Sequence, residues 1–147
     1  MSRSTTSSVT TRRLCAFVLV AATGCATANG GDAGNAQVYD AWRGGRSHVE
    51  VQASGSVARV LGERTGPSGP HEGFLLHLTG PGGHGLTVRI ESNLDLLGPL
   101  PVRSGEPATV RGEYEYDPRG GVIHWTHRDP RSRHPAGFVE IDGRRYQ

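Results

Sequence analysis

The sequence predicts one all-β domain, on three observations. The 147 residues allow one domain. The 22 Gly and 9 Pro call for many turns, in a chain less biased than a collagenous or disordered one. Five segments alternate apolar and polar residues with the period of two that marks a half-buried strand.

The elements follow in order. Asn35 can cap a short helix over Ala36–Arg43, which places Val38 and Trp42 on one core-facing side before Gly44-Gly45 stops it. Val49, Val51, Ala53, Val57 and Leu61 share one parity and Val60 breaks it, which fits a long first strand bent near Gly55. Glu63–Gly73 reads as a Gly/Pro loop. Phe74, Leu76 and Leu78, then Leu86, Val88 and Ile90, form a hairpin with a long tip at Gly80–Gly85. The LDLL segment Leu94–Leu97 reads as a helical turn before Gly98-Pro99. Ala108, Val110, Gly112, Tyr114 and Tyr116 point one way on a fourth strand. Asp117–Gly121 then turns the chain into a fifth strand, Val122–His127. Asp142-Gly143 is a strong turn signal for a terminal hairpin over Phe138–Gln147. A helix, a long bent strand, a hairpin, a helical connection and a second hairpin give the order of a small five-stranded Greek-key barrel of the oligonucleotide/oligosaccharide-binding type, here called OB-like. A small antiparallel sandwich is the alternative. There is no internal repeat.

The N-terminus reads as an export signal. Arg12-Arg13 precede the apolar run Leu14–Ala22, too short to span a bilayer, which needs about 20 residues. Ala22-Thr23-Gly24-Cys25 resembles a bacterial lipobox, in which the cysteine becomes the lipidated first residue. An ordinary signal cleaved after Ala28 is the competing reading. The expected organisation is a signal peptide over residues 1–24, a flexible tether over 25–34 beginning at lipidated Cys25, and a barrel domain over 35–147. The implied address is the bacterial cell envelope, as a periplasmic or surface lipoprotein held to the membrane through its lipid. Cys15 and Cys25 are the only cysteines, so the domain has no thiol and no disulfide.

Charge narrows the partners. The formal net charge is +2, and every cation other than histidine is arginine. Without Arg3, Arg12 and Arg13, thirteen of the 16 arginines remain against all 14 acids, a net of −1. A strong phosphate-backbone binder is therefore disfavoured. All seven histidines lie after the signal, so the domain gains charge on acidification.

The densest chemistry lies in Gly112–His134, GEYEYDPRGGVIHWTHRDPRSRH. Within it, GEYEYDPRGGVIHWTHRDP resembles a bacterial family, domain of unknown function 3465, and the resemblance extends over Val49–Gln147. It includes His71-Glu72-Gly73-Phe74, Asn93-Leu94-Asp95-Leu96 and Gly143–Gln147. The resemblance implies a short exported protein and brings no activity with it. The family often carries a histidine just before the Asn of its N-x-D-L segment. Here that position is Ser92, so a role resting on that histidine is absent.

Three chemistries fit this block. His124, His127, Asp129 and His134 offer imidazoles and a carboxylate suited to zinc or a similar borderline metal. On a regular strand His124 and His127 point to opposite faces, so they converge only if the strand ends near Trp125 and Thr126–Pro130 curls back. The bland alternative is that one histidine bonds within the fold and the other is exposed. Second, His124 or His127 with Glu113 or Glu115 across the hairpin forms a base–orienter pair or, equally, a structural contact. No cysteine nucleophile and no G-x-S-x-G elbow is present, so a hydrolase here needs a metal-bound or base-activated water. Third, Tyr114, Tyr116 and Trp125 offer stacking surfaces for a single-stranded nucleic acid or a glycan, although both tyrosines share the core parity. Arg128, Arg131 and Arg133 add a local positive patch or a solvated loop. The Gly-rich loops frame no phosphate motif, because no strand–loop–helix unit surrounds them. The leading expectation is a binding or structural module, with a metal-dependent hydrolase as the alternative.

Overall fold

The computed structural model describes Met1 and residues 30–147. The segment read as an export signal, and Cys25, lie outside the described residues. The domain is mostly β: one seven-stranded sheet with a helix, α1 (Gly30–Arg43), packed chiefly on its first strand. No helix among the described residues is long and apolar enough to cross a membrane.

The start of α1 departs from expectation. It begins at Gly30, so Gly30–Gly34, read as tether, is helical and Asn35 is no cap. Asn35 is buried, and its amide donates to the Ser54 and Thr79 carbonyls while accepting from the Ser54 N–H. A short polar side chain that can donate twice and accept once fastens the helix to the sheet there.

Strand β1 (Val49–Gly66) is the long bent strand, and its bend is an exchange of partners. Val49–Ser56 pairs with β4 (Pro107–Glu115), whereas Ser56–Gly66 pairs with β2 (Gly69–Thr79). Gly55 sits at the exchange, where an added Cβ would collide with the His77 carbonyl. Register shifts at Val57/Arg59 and Val60/Gly62 explain the parity break. Val60 packs against the core and Leu61 is exposed, the reverse of the simple alternation. Glu63–Gly73 is not a loop. Its residues continue β1 and start β2, and the chain reverses through Pro67-Ser68 alone. This arm buries no second face, so it carries no alternating pattern.

Strand β3 (Gly85–Asn93) pairs antiparallel with β2. Helix α2 (Leu94–Leu97) is the expected turn, capped by the Asn93 side chain on the Asp95 N–H and ended by Gly98 at φ 68°. Strand β5 (Val122–His124) pairs antiparallel with β4 and parallel with β3. It stops three residues earlier than expected. Strands β6 (Phe138–Ile141) and β7 (Arg144–Tyr146) make the terminal hairpin, and β6 pairs with β4. The pairings thus run β1-β2-β3-β5-β4 and back to β1, with β6 and β7 added beyond β4. Seven strands, not five, build the sheet. Inside lie Phe74, Leu76, Val88, Ile90, Val110, Tyr114 and Ile123, each fully buried, as their parity requires. Tyr116 breaks that parity: it falls past the end of β4 and is exposed.

Candidate functional site

Strand β4 is central on the outer wall. Its odd residues point away from the core, so Glu113 and Glu115 stand outside. Register sets their neighbours: Glu50 of β1 lies opposite Glu113 on one side, and His124 of β5 lies opposite it on the other. His124 Nε2 is 3.6 Å from Glu113 Oε1 and 3.8 Å from Glu115 Oε1. The expected histidine–glutamate pair across the hairpin is therefore formed. Burial pushes the His124 pKa down, against the pull of Glu113 and Glu115. Burial beside Glu113 raises that of Glu50.

His48 arrives from the residue before β1. Its Nδ1 lies 3.2 Å from Glu113 Oε1 and 2.8 Å from Glu115 Oε1. Its backbone is left-handed, φ 59°, a region histidine tolerates better than most residues. Beside it, Ser47 Oγ accepts from the Tyr116 N–H and ties this segment to the end of β4. Hydrogen bonding to Glu113, and then the Glu115 charge, raises the His48 pKa.

The HWTH block turns sharply at Trp125, whose φ is 55°. The strand ends there, as convergence of His124 and His127 requires, but the following residues turn inward. Thr126 is fully buried; its hydroxyl donates to the Glu91 carbonyl and bonds Ser92 Oγ. Ser92, where the resembled family often has histidine, is thus a direct neighbour of the block. His127 is buried, with Nδ1 3.0 Å from the Arg128 carbonyl. Asp129 is buried and accepts from the Arg131 and Arg133 N–H groups and from Arg133 Nε. His134 packs against Trp125 with ring centres 4.4 Å apart and the rings tilted by 49°, and its Nδ1 faces the Pro135 carbonyl. Gly137 closes the loop through its N–H on the His127 carbonyl. Among the described residues, the ligand-type atoms that cluster are those of His48, Glu113 and Glu115, not the set His124, His127, Asp129 and His134. His127 and Asp129 hold the loop together.

Asp129 makes a pH prediction. The Arg133 guanidinium and then the Arg131 N–H hold its carboxyl well below the usual carboxylate range. A depressed folded pKa adds stability above the unfolded value of about 3.9, and that stability is lost as pH falls through the folded value. Asp129→Asn therefore melts lower than the native chain at pH 7, and the gap closes as the pH is taken below about 4. Thermal melts of both proteins across that range check it; a gap independent of pH rules the ionised carboxylate out.

A groove of about 410 Å³ lies between the β1–β2 arm and this outer wall, lined by Arg64, Ser68, His71, Glu91, Glu115 and His124 among others. It shares Ser68, His71, Glu91 and His124 with a 90 Å³ recess that ends at Trp125 and His127. Glu91 is buried between Arg64 and Arg89. Trp125 is 38% exposed, unusual for so large an apolar side chain. A larger cleft of 480 Å³ lies among α1, the β1 bend and the β6–β7 turn. It has no tryptophan, tyrosine or phenylalanine in its lining. His48 carries no motif of its own, and His71 belongs to the His71-Glu72-Gly73-Phe74 segment, to which the sequence assigns no role. His48 joins Glu113 only through the β1–β4 register, 65 positions apart, and the outward parity of both strands is the signal that points to it.

No curated protein matches the chain. The family described as "Protein of unknown function (DUF3465)" matches residues 18–147, nearly the whole chain and all of the domain, so this protein belongs to that family.

Proposed function

We propose that this protein is a lipid-anchored module of the bacterial envelope that binds an uncharged oligosaccharide on an OB-like barrel. The ring of pairings β1-β2-β3-β5-β4-β1, with β1 shared between two partners and a helical turn before β4, supports the barrel reading. The signal-like N-terminus and Cys25 support export and anchoring.

One observation carries the ligand class: the groove under the arm leads to an exposed Trp125 beside carboxylates, imidazoles and a hydroxyl. Such a mixture gives a sugar an apolar face to stack on and polar groups for its hydroxyls. Arg64 is paired with Glu91 and Glu115 adds a negative charge, so the lining offers no free row of cations for a phosphate backbone. A metal-dependent hydrolase at the HWTH block has less support, because Asp129 spends both oxygens inside its loop.

The test is fluorescence titration of the purified chain with a tetramer of β-1,4-linked N-acetylglucosamine and with cellotetraose. Saturable binding is expected. Trp125→Ala weakens it about fivefold to 150-fold, the value of one lost aromatic stack of about 1–3 kcal/mol. Salt-sensitive binding of oligothymidylate in place of the sugars would move the reading to nucleic acid. Cys25→Ala releases the protein from the membrane fraction. A native N-terminus at Asn29 by mass spectrometry would replace lipidation with ordinary secretion.

A further inference from the structure

We propose that His48, Glu113, Glu115 and His124 form a binding site for one zinc-class divalent cation that clamps the start of β1 across β4 to β5. Glu115 and His124 also line the groove, so the ion site adjoins the sugar site, and zinc binding is read separately from it.

The strand register builds it. Glu113 and Glu115 are two apart on β4 and so share its outer face. His124 stands opposite Glu113 from β5. Val49 pairs with Tyr114, which brings His48 beside Glu115 from the other side. Two imidazoles from the flanking strands thus meet two carboxylates on the central one. This donor set suits a borderline ion: imidazole and carboxylate both ligate zinc, and no thiolate is needed.

The His48 contacts are of hydrogen-bond length, whereas those of His124 are longer than a hydrogen bond and leave room for an ion. Zinc bonds to nitrogen and oxygen of about 2.0–2.1 Å place tetrahedral ligand atoms about 3.3–3.4 Å apart. The four histidine–glutamate separations are 3.2, 2.8, 3.6 and 3.8 Å, and bracket that edge. The atoms of His48, Glu113 and Glu115 all lie within 4.8 Å of one another. His124 Nε2 supplies an independent sign. It is a buried ring nitrogen with no hydrogen-bond partner, held off both carboxylates by more than a good hydrogen bond spans. An ion between them satisfies that nitrogen and separates two carboxylates that otherwise repel. The protons now joining His48 to the glutamates leave as the ion enters.

His48, Glu113 and Glu115 are the mutually close set, and a small movement of the His124 ring toward them completes a tetrahedron, which makes the ion's role structural. It staples the start of β1 across β4 to β5, adding to the strand pairing and to the Ser47–Tyr116 hydrogen bond at this end of the wall.

The experiment uses the full purified chain, stripped with chelator and then titrated with zinc against a chromophoric competitor. One zinc per chain is expected, with a melting temperature that rises with zinc concentration. His48 is 78% exposed, so His48→Ala leaves the circular dichroism unchanged. It weakens zinc by more than the roughly 10–100-fold that loss of an outer-shell partner causes, and removes the zinc-dependent rise in melting temperature. Glu115→Gln does the same. His134→Ala, outside the set, keeps both. Failure of the native chain to hold zinc overturns the proposal. So does undiminished zinc in His48→Ala and Glu115→Gln, or loss of zinc in His134→Ala. Sugar binding that survives in His48→Ala keeps this result separate from the groove's.

Discussion

Val110→Asp unfolds the domain. Val110 is fully buried on β4, between Ala53 of β1 and Val139 of β6 in register, and both neighbours are themselves fully buried. No cation faces it from those pairing partners. A carboxylate there loses about 1.5–3 kcal/mol of valine burial and pays several kcal/mol more for a desolvated charge, against a typical total of about 5–15 kcal/mol. Circular dichroism and thermal melts check it, with loss of the β spectrum and of a cooperative transition as the expected result. Phe74→Asp, on β2, tests the same interior from another strand. A native spectrum and a cooperative melt in both variants would refute the assigned register.

The second large effect concerns Gly112 of β4, which lies against the backbone of β5. An added Cβ is driven into the His124 carbonyl and crowds Ile123. The obstacle is backbone, so no rotamer relieves it and one strand must move. Gly112→Ala therefore costs about 3 kcal/mol, the upper part of the range for overpacked sites. Gly66→Ala at the arm is its control: nothing lies within 4 Å of a Cβ there and its φ is not left-handed, so the change is worth less than about 0.5 kcal/mol. Urea midpoints of the two variants decide the matter. Equal midpoints would mean that β4 and β5 have room between them for a methyl group.

Alternation made most of the interior legible. Phe74, Leu76, Leu78, Val88, Ile90 and Val110 are buried because one parity of each strand faces inward. Turn chemistry fixed the Asp142-Gly143 reversal, where both residues have positive φ. The arm was illegible for the opposite reason: a hairpin that leaves the core behind has no apolar face to announce it. The start of α1 was misread because Asn35 looks like a cap, while its real partners, Ser54 and Thr79, are distant in sequence. At the site, the Glu113–His124 pair was readable from a short hairpin. His127 and Asp129 carried the motif's chemistry but spend it on the loop's own backbone. His48 was hidden, because a pairing 65 positions long leaves no local trace.

That long pairing also sets an order of assembly. The β1–β2 arm closes through a two-residue turn. The β1–β4 pairing must close a stretch of 51 positions at Ser56–Pro107, rising to 65 at Val49–Tyr114, and each doubling of a closing loop adds about 0.6 kcal/mol of entropy cost. A chain made from its N-terminus therefore completes β1 with β2 and β3 first and carries Val49–Gly55 as an open edge until β4 has been synthesised. Sealing that edge is a late event. Until then, the half of β1 that will join β4 is the surface on which a second unfinished copy could pair by mistake.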